Sequence, residues 1–74
     1  MNILITSAGQ RVSLVRSFQT ELKKIFENGQ VFTTDLNPIL APACHVSDQS
    51  FTVPRVTSPE YIDYLLNLCL SNQV

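Results

Sequence analysis

Three stretches of the 74-residue chain carry side chains whose type and spacing could do chemistry. The first is Ser7-Ala8-Gly9-Gln10-Arg11, between the apolar run Ile3-Leu4-Ile5 and a long amphipathic segment. A turn that leaves a strand and opens a helix offers unpaired backbone N–H groups and the positive end of a helix dipole. Both suit a phosphate or a carboxylate. Asp35 is the second, at the end of another apolar run and 35 − 9 = 26 positions after Gly9. Arg55 is the third, just past Val53-Pro54.

Each of these residues has more than one physical use. A dinucleotide fingerprint needs three glycines, and here Arg11 and Leu14 stand where the second and third would fall. Gly9 therefore fits a plain strand-to-helix turn as well as a close ligand approach. Arg11 in the first turn of a helix opposes the dipole at a cost of roughly 0.3–1 kcal/mol. Either it is solvated or ion-paired within the chain, or an anion faces it. Asp35 could accept ribose hydroxyls, or it could start the turn Leu36-Asn37-Pro38 by bonding backbone N–H groups. Arg55 is a second possible anion contact.

Other reactive side chains point to no site. Cys44 and His45 are adjacent, with Asp48 three positions on from His45. Adjacent side chains do not reach one ion with ordinary geometry, and the ligand count falls short, so no metal is expected and His45 reads as a loop residue. Ser7, Ser13 and Ser47 have no base in a triad-like arrangement, and no catalytic residue is expected.

Positioning these residues requires a specific order of elements. Residues 1–6 read as a buried parallel strand, covered on both faces. Leu14, Val15, Phe18, Leu22, Ile25 and Phe26 recur at helical spacing through residues 12–26, while Arg16, Gln19, Lys23, Lys24 and Glu27 lie mostly off that stripe. Asn28-Gly29 stops this helix, with Gly29 expected in the left-handed conformation. Residues 30–34 form a second strand. Pro38 opens a short turn over residues 39–43, which Pro42 keeps brief. Residues 50–53 alternate as a third strand, ended by Pro54. Ser58 as N-cap, Pro59 in first position and Glu60 behind it begin a last helix. Its expected inner face is Ile62, Leu65, Leu66, Cys69 and Leu70, and Asn72 closes it.

The order β-α-β-turn-β-α predicts an α/β fold: a Rossmann-like parallel sheet of about three strands with right-handed crossover helices. Such sheets bind ligands at the carboxyl ends of their strands, where Ser7, Arg11, Asp35 and Arg55 all fall.

Composition narrows the function classes. Apolar residues make up 45% of the chain, enough for a core, and the net charge is −1 with no basic stripe, which excludes nucleic-acid binding by a charged face. The longest apolar runs are four or five residues, so neither a membrane span nor a secretory signal is expected. Two isolated cysteines read as reduced thiols in a cytoplasmic protein.

Taken together, Asn2-Ile-Leu-Ile-Thr-Ser-Ala-Gly-Gln-Arg-Val, Thr34-Asp-Leu-Asn-Pro, Ala41-Pro-Ala, Asp48, Val53-Pro-Arg-Val and Tyr61-Ile resemble the amino terminus of bacterial ATP-grasp proteins. The likeness is to the carbamoyl-phosphate-synthase-like group and covers essentially the whole chain. It implies a single pre-ATP-grasp domain over residues 1–74, a fragment of a longer enzyme, packed against a downstream ATP-grasp module. Enzymes of that family use ATP and magnesium to activate a carboxylate as an acyl phosphate. Their nucleotide- and metal-binding residues lie in the later module, so the resemblance implies that this chain holds neither cofactor and is inactive alone. Matching positions here are the turn Ser7 to Arg11, including Ala8 and Gly9, and the acid Asp35. A nucleotide- or NAD-binding Rossmann module and a structural interaction domain are the rival expectations.

A chain this short buries only ~60% of the surface that its unfolded form exposes. Two helices are few to cover both faces of a parallel sheet, which predicts a homo-oligomer, a two-fold dimer above all.

Overall fold

The structure is a computed structural model that describes residues 1–74. Three parallel strands, β1 (Asn2–Ile5), β2 (Gln30–Asp35) and β3 (Gln49–Thr52), lie in the order β1-β2-β3. Helix α1 (Val12–Ile25) joins the first two. A 3-10 turn (Pro38–Leu40) and the short helix α2 (Pro42–Val46) join β2 to β3. Helix α3 (Tyr61–Ser71) follows. The α/β, Rossmann-like arrangement expected from the element order is present. No helix is long and apolar enough to cross a membrane.

Because β2 is central, its residues Val31, Phe32, Thr33 and Thr34 are all buried. By contrast, β1 is an edge strand and only half-buried along its length, which corrects the expectation of a strand covered on both faces. The main core fills the space between one face of the sheet and α1 and α2. There Val15, Leu22, Val31, Ala43 and Cys44 pack together, with Ile3 and Ile5 against them. Phe32 and Phe51 meet edge to face on the other side of the sheet, with ring centroids 5.8 Å apart.

That second face is left to α3, which is pinned at both ends. Tyr61 is buried at its start. At its finish the Asn2 amide donates to the Asn72 carbonyl at 2.9 Å, while the Asn2 side-chain oxygen accepts the Gln30 N–H at 3.1 Å. Asn72 closes the helix as expected, its side chain donating to the Leu68 carbonyl at 2.9 Å.

Several local expectations are corrected. Gly29 is not left-handed, since the glycine with positive φ is Gly9, at 53°. Gly29 is required sterically instead, because a Cβ there would sit 2.7 Å from Leu22 Cγ and 2.9 Å from the Met1 carbonyl oxygen. Rather than cutting a turn short, Pro42 opens α2, as its fixed φ and missing N–H allow. The third strand starts and ends one residue earlier than expected. Ser58-Pro59-Glu60 forms a turn before α3 instead of its first residues: Ser58 Oγ accepts the Glu60 N–H at 3.3 Å, and the regular helix starts at Tyr61.

Both long helices face inward along a different line from the one their apolar spacing predicted. In α1 the inner residues are Val12, Val15, Gln19 and Leu22, and Leu14, Phe18, Ile25 and Phe26 are exposed. Gln19 turns inward because its amide donates to the Val46 carbonyl at 2.9 Å and joins α1 to α2. In α3 the inner residues are Tyr61, Leu65, Leu68, Cys69 and Asn72. Ile62, Leu66 and Leu70 instead form an outward ridge, exposed by 64%, 56% and 80%.

Candidate functional site

At the carboxyl end of β1 the chain makes a sharp turn, with Ser7 at φ 50° and Gly9 at φ 53°. The left-handed region is free for glycine and strained for serine. Ala8 between them is fully buried in the core, and its N–H donates to the Thr34 carbonyl at 3.1 Å. The Gly9 N–H donates to Asp35 Oδ2 at 3.1 Å. Arg11 and Val12 donate to Ala8 and Gln10 carbonyls at 3.0 and 2.8 Å. The expectation of unpaired N–H groups in this turn is therefore corrected: the groups of Ala8, Gly9, Arg11 and Val12 are engaged inside the chain.

Asp35 explains much of that. Its Oδ1 accepts the Asn37 N–H at 3.1 Å, so one carboxylate starts its own turn and ties down the neighbouring one. Arg11 immediately precedes α1 and is exposed. The chain's single ion pair is Lys24–Glu21, at 3.1 Å, so Arg11 stands in solvent without a carboxylate.

A cleft of about 270 Å³ opens at this same edge of the sheet. Ser7 contributes from the β1–α1 turn, Leu36 from the end of β2, residues 53–57 from the end of β3, and Tyr61 from the start of α3. The segment carrying Arg55 is held in place. Val53 continues the ladder, its N–H donating to the Asp35 carbonyl at 3.2 Å, and the Arg55 carbonyl accepts the Ser58 N–H at 2.8 Å. Pro54 restricts the backbone between them. The structure thus brings Ser7 and Arg55 together and places Asp35 beside Leu36, directly behind the cleft. Ala8, Gly9 and Arg11 do not line it.

Thr57 and Tyr61 also line the cleft and were not among the residues to which the sequence pointed. Their place follows from where residues 53–60 carry the chain between β3 and α3, which has no local signal in the sequence. A larger hollow, about 480 Å³, lies at the opposite end of the sheet around Met1, Phe26 and Glu27. It faces the amino ends of the strands and receives none of the candidate residues.

The Cys44–His45–Asp48 stretch is structural. Cys44 is buried in the core. His45 lies in α2 rather than in a loop, its Nε2 2.7 Å from the Ile39 carbonyl. Asp48 Oδ2 accepts the Val31 N–H at 2.7 Å and the Asp48 N–H donates to the Val31 carbonyl at 3.0 Å, which extends the β2–β3 pairing. Ser47 Oγ lies 2.8 Å from Thr33 Oγ1, and within 3.2 Å of the Cys44 and Gln49 carbonyls. Its one proton serves those carbonyls, so Thr33 donates to it. Nowhere do three His, Cys, Asp or Glu side chains gather as metal ligands would.

The family model described as the PylC-like, N-terminal domain matches residues 3–74. The chain belongs to this family. The match agrees with the resemblance to pre-ATP-grasp amino-terminal domains of ATP-grasp proteins. No curated protein matches the chain. Within the PylC-like domain the cleft occupies the position where open parallel sheets receive ligands.

Proposed function

We propose that this PylC-like domain is the amino-terminal module of a longer, cytoplasmic bacterial ATP-grasp enzyme of ligase type, in the carbamoyl-phosphate-synthase-like group. In that assignment a downstream module holds ATP and magnesium and activates a carboxylate as an acyl phosphate. The present domain packs against that module and contributes substrate contacts at the carboxyl edge of its sheet, and is inactive alone. The observation that carries this assignment is the family match over residues 3–74.

The donor set supports the division of labour. Neither a glycine-rich phosphate loop nor a cluster of acidic side chains that would fit magnesium occurs here, and the turn N–H groups are largely engaged. These residues do not fit a triphosphate or its metal, so no catalytic step is assigned to them. A dinucleotide-binding role has less support, because both Asp35 oxygens already accept backbone N–H groups.

Calorimetric titration of the chain with magnesium-ATP should show no micromolar binding. A defined stoichiometry at micromolar affinity would overturn the division proposed here. The enzyme carrying this domain should form an acyl phosphate in an ATP-dependent manner. Its failure to consume ATP with any carboxylate would remove the ligase assignment.

A further inference from the structure

We propose that the cleft between Ser7 and residues 53–57 binds a small oxyanion, a carboxylate or a phosphate, with the Arg55 guanidinium as its main partner. The inference deepens the function proposed above and takes from it only that a substrate passes this edge of the sheet.

Three observations converge on the cleft. Arg55 carries a permanent charge and has no carboxylate partner anywhere in the chain, although its backbone is pinned by Pro54 and by the 2.8 Å bond from Ser58. A guanidinium presents a planar fork of donors that matches an oxyanion. Tyr61 lines the same cleft with its body buried, and its hydroxyl bonds to no group of the chain and is open to solvent, free to donate to a ligand. Ser7 and Thr57 add two further hydroxyls, and Leu36, Val53, Pro54 and Val56 supply apolar wall.

The electrostatics do not oppose an anion here. Asp35 stands next to the cleft residue Leu36, and its two oxygens are occupied by the Gly9 and Asn37 N–H groups. Size limits the ligand further. About 270 Å³ suits an anion of acetate, amino-acid or phosphate dimensions and is small for a nucleotide.

The test is nitrogen–proton correlation NMR of the 74-residue chain, titrated separately with acetate and with inorganic phosphate at constant ionic strength. Saturable shifts at Ser7, Arg55, Val56, Thr57 and Tyr61 are expected with at least one anion. Saturation by acetate alone identifies a carboxylate site, and saturation by phosphate alone a phosphate site. The Arg55→Gln variant should bind about tenfold more weakly or worse while keeping its spectrum elsewhere. Tyr61→Phe should weaken binding by a few-fold. Arg11→Gln should leave it unchanged. Linear, unsaturating drift with both anions, or undiminished binding by Arg55→Gln, would overturn the proposal. Either result leaves the ATP-grasp assignment standing, because that assignment is tested on the longer enzyme with ATP.

Discussion

Two glycines and one acid show how differently single residues can be required. Gly9 is required by its φ of 53°, and a Cβ there would meet only the Ser7 carbonyl oxygen at 3.9 Å. Gly29 has no such φ, but a Cβ there would collide with Leu22. Gly9→Ala should therefore cost ~1–2 kcal/mol through backbone strain, and Gly29→Ala ~1–3 kcal/mol through overpacking. In a Leu22→Ala background the Gly29→Ala loss should shrink and the Gly9→Ala loss should not. Urea denaturation of the three single and two double variants measures this. Asp35→Asn keeps one acceptor oxygen and loses the other, so Gly9 or Asn37 is left with an unmet N–H. A loss of ~1–3 kcal/mol is expected by the same measurement. The sequence identified Asp35 and Gly9 but not their bond to each other, because a contact across 26 positions has no local signal. Arg55 could be read as sitting at a strand end. The Tyr61 hydroxyl beside it could not, since that depends on where a later helix lands.

Element existence follows closely from periodicity, punctuation and strand propensity, whereas facing does not. In α3 only Asp63, Asn67 and Ser71 are polar within residues 61–71, spaced four apart, so most of its circumference is apolar and several orientations bury similar amounts. Tyr61 and Asn72 decide the matter, through the cleft and through the Asn2 amide. In α1 the Gln19 bond to the Val46 carbonyl settles the same ambiguity. The consequences for stability are opposite along the two helices. Leu22→Ala removes a buried side chain from the main core and should cost ~2–5 kcal/mol. Leu70→Lys alters a residue that is 80% exposed in the single chain and, at concentrations too low for two copies to pair, should change stability by less than ~0.5 kcal/mol. Thermal denaturation followed by circular dichroism separates the two outcomes, and a large loss from Leu70→Lys would mean that α3 faces the other way.

For the molecule as a whole, the surface is larger than its mass predicts. A folded chain of 8.3 kDa should expose about 4,600 Å², and this one exposes 5003 Å². The Ile62, Leu66 and Leu70 ridge is part of that exposed surface, and the outer edge of β1 is unpaired. Contiguous apolar surface of this kind marks an association face. We expect the isolated chain to self-associate, as its composition already suggested, with two copies paired through this ridge and edge. Sedimentation equilibrium at micromolar concentration should report a dimer, and Leu66→Lys with Leu70→Lys should return it to a monomer. A monomeric parent chain would refute this. The uneven attachment of the two layers also gives the molecule a pair of built-in clocks. Cys44 lies inside the main core and Cys69 on the inner side of α3, between the two ends at which that helix is pinned, and both are free thiols. A thiol reagent should modify Cys69 at a rate set by local undocking of that helix, and Cys44 only as fast as the whole sheet comes apart. If both react at one rate, α3 and the sheet open as a single cooperative unit.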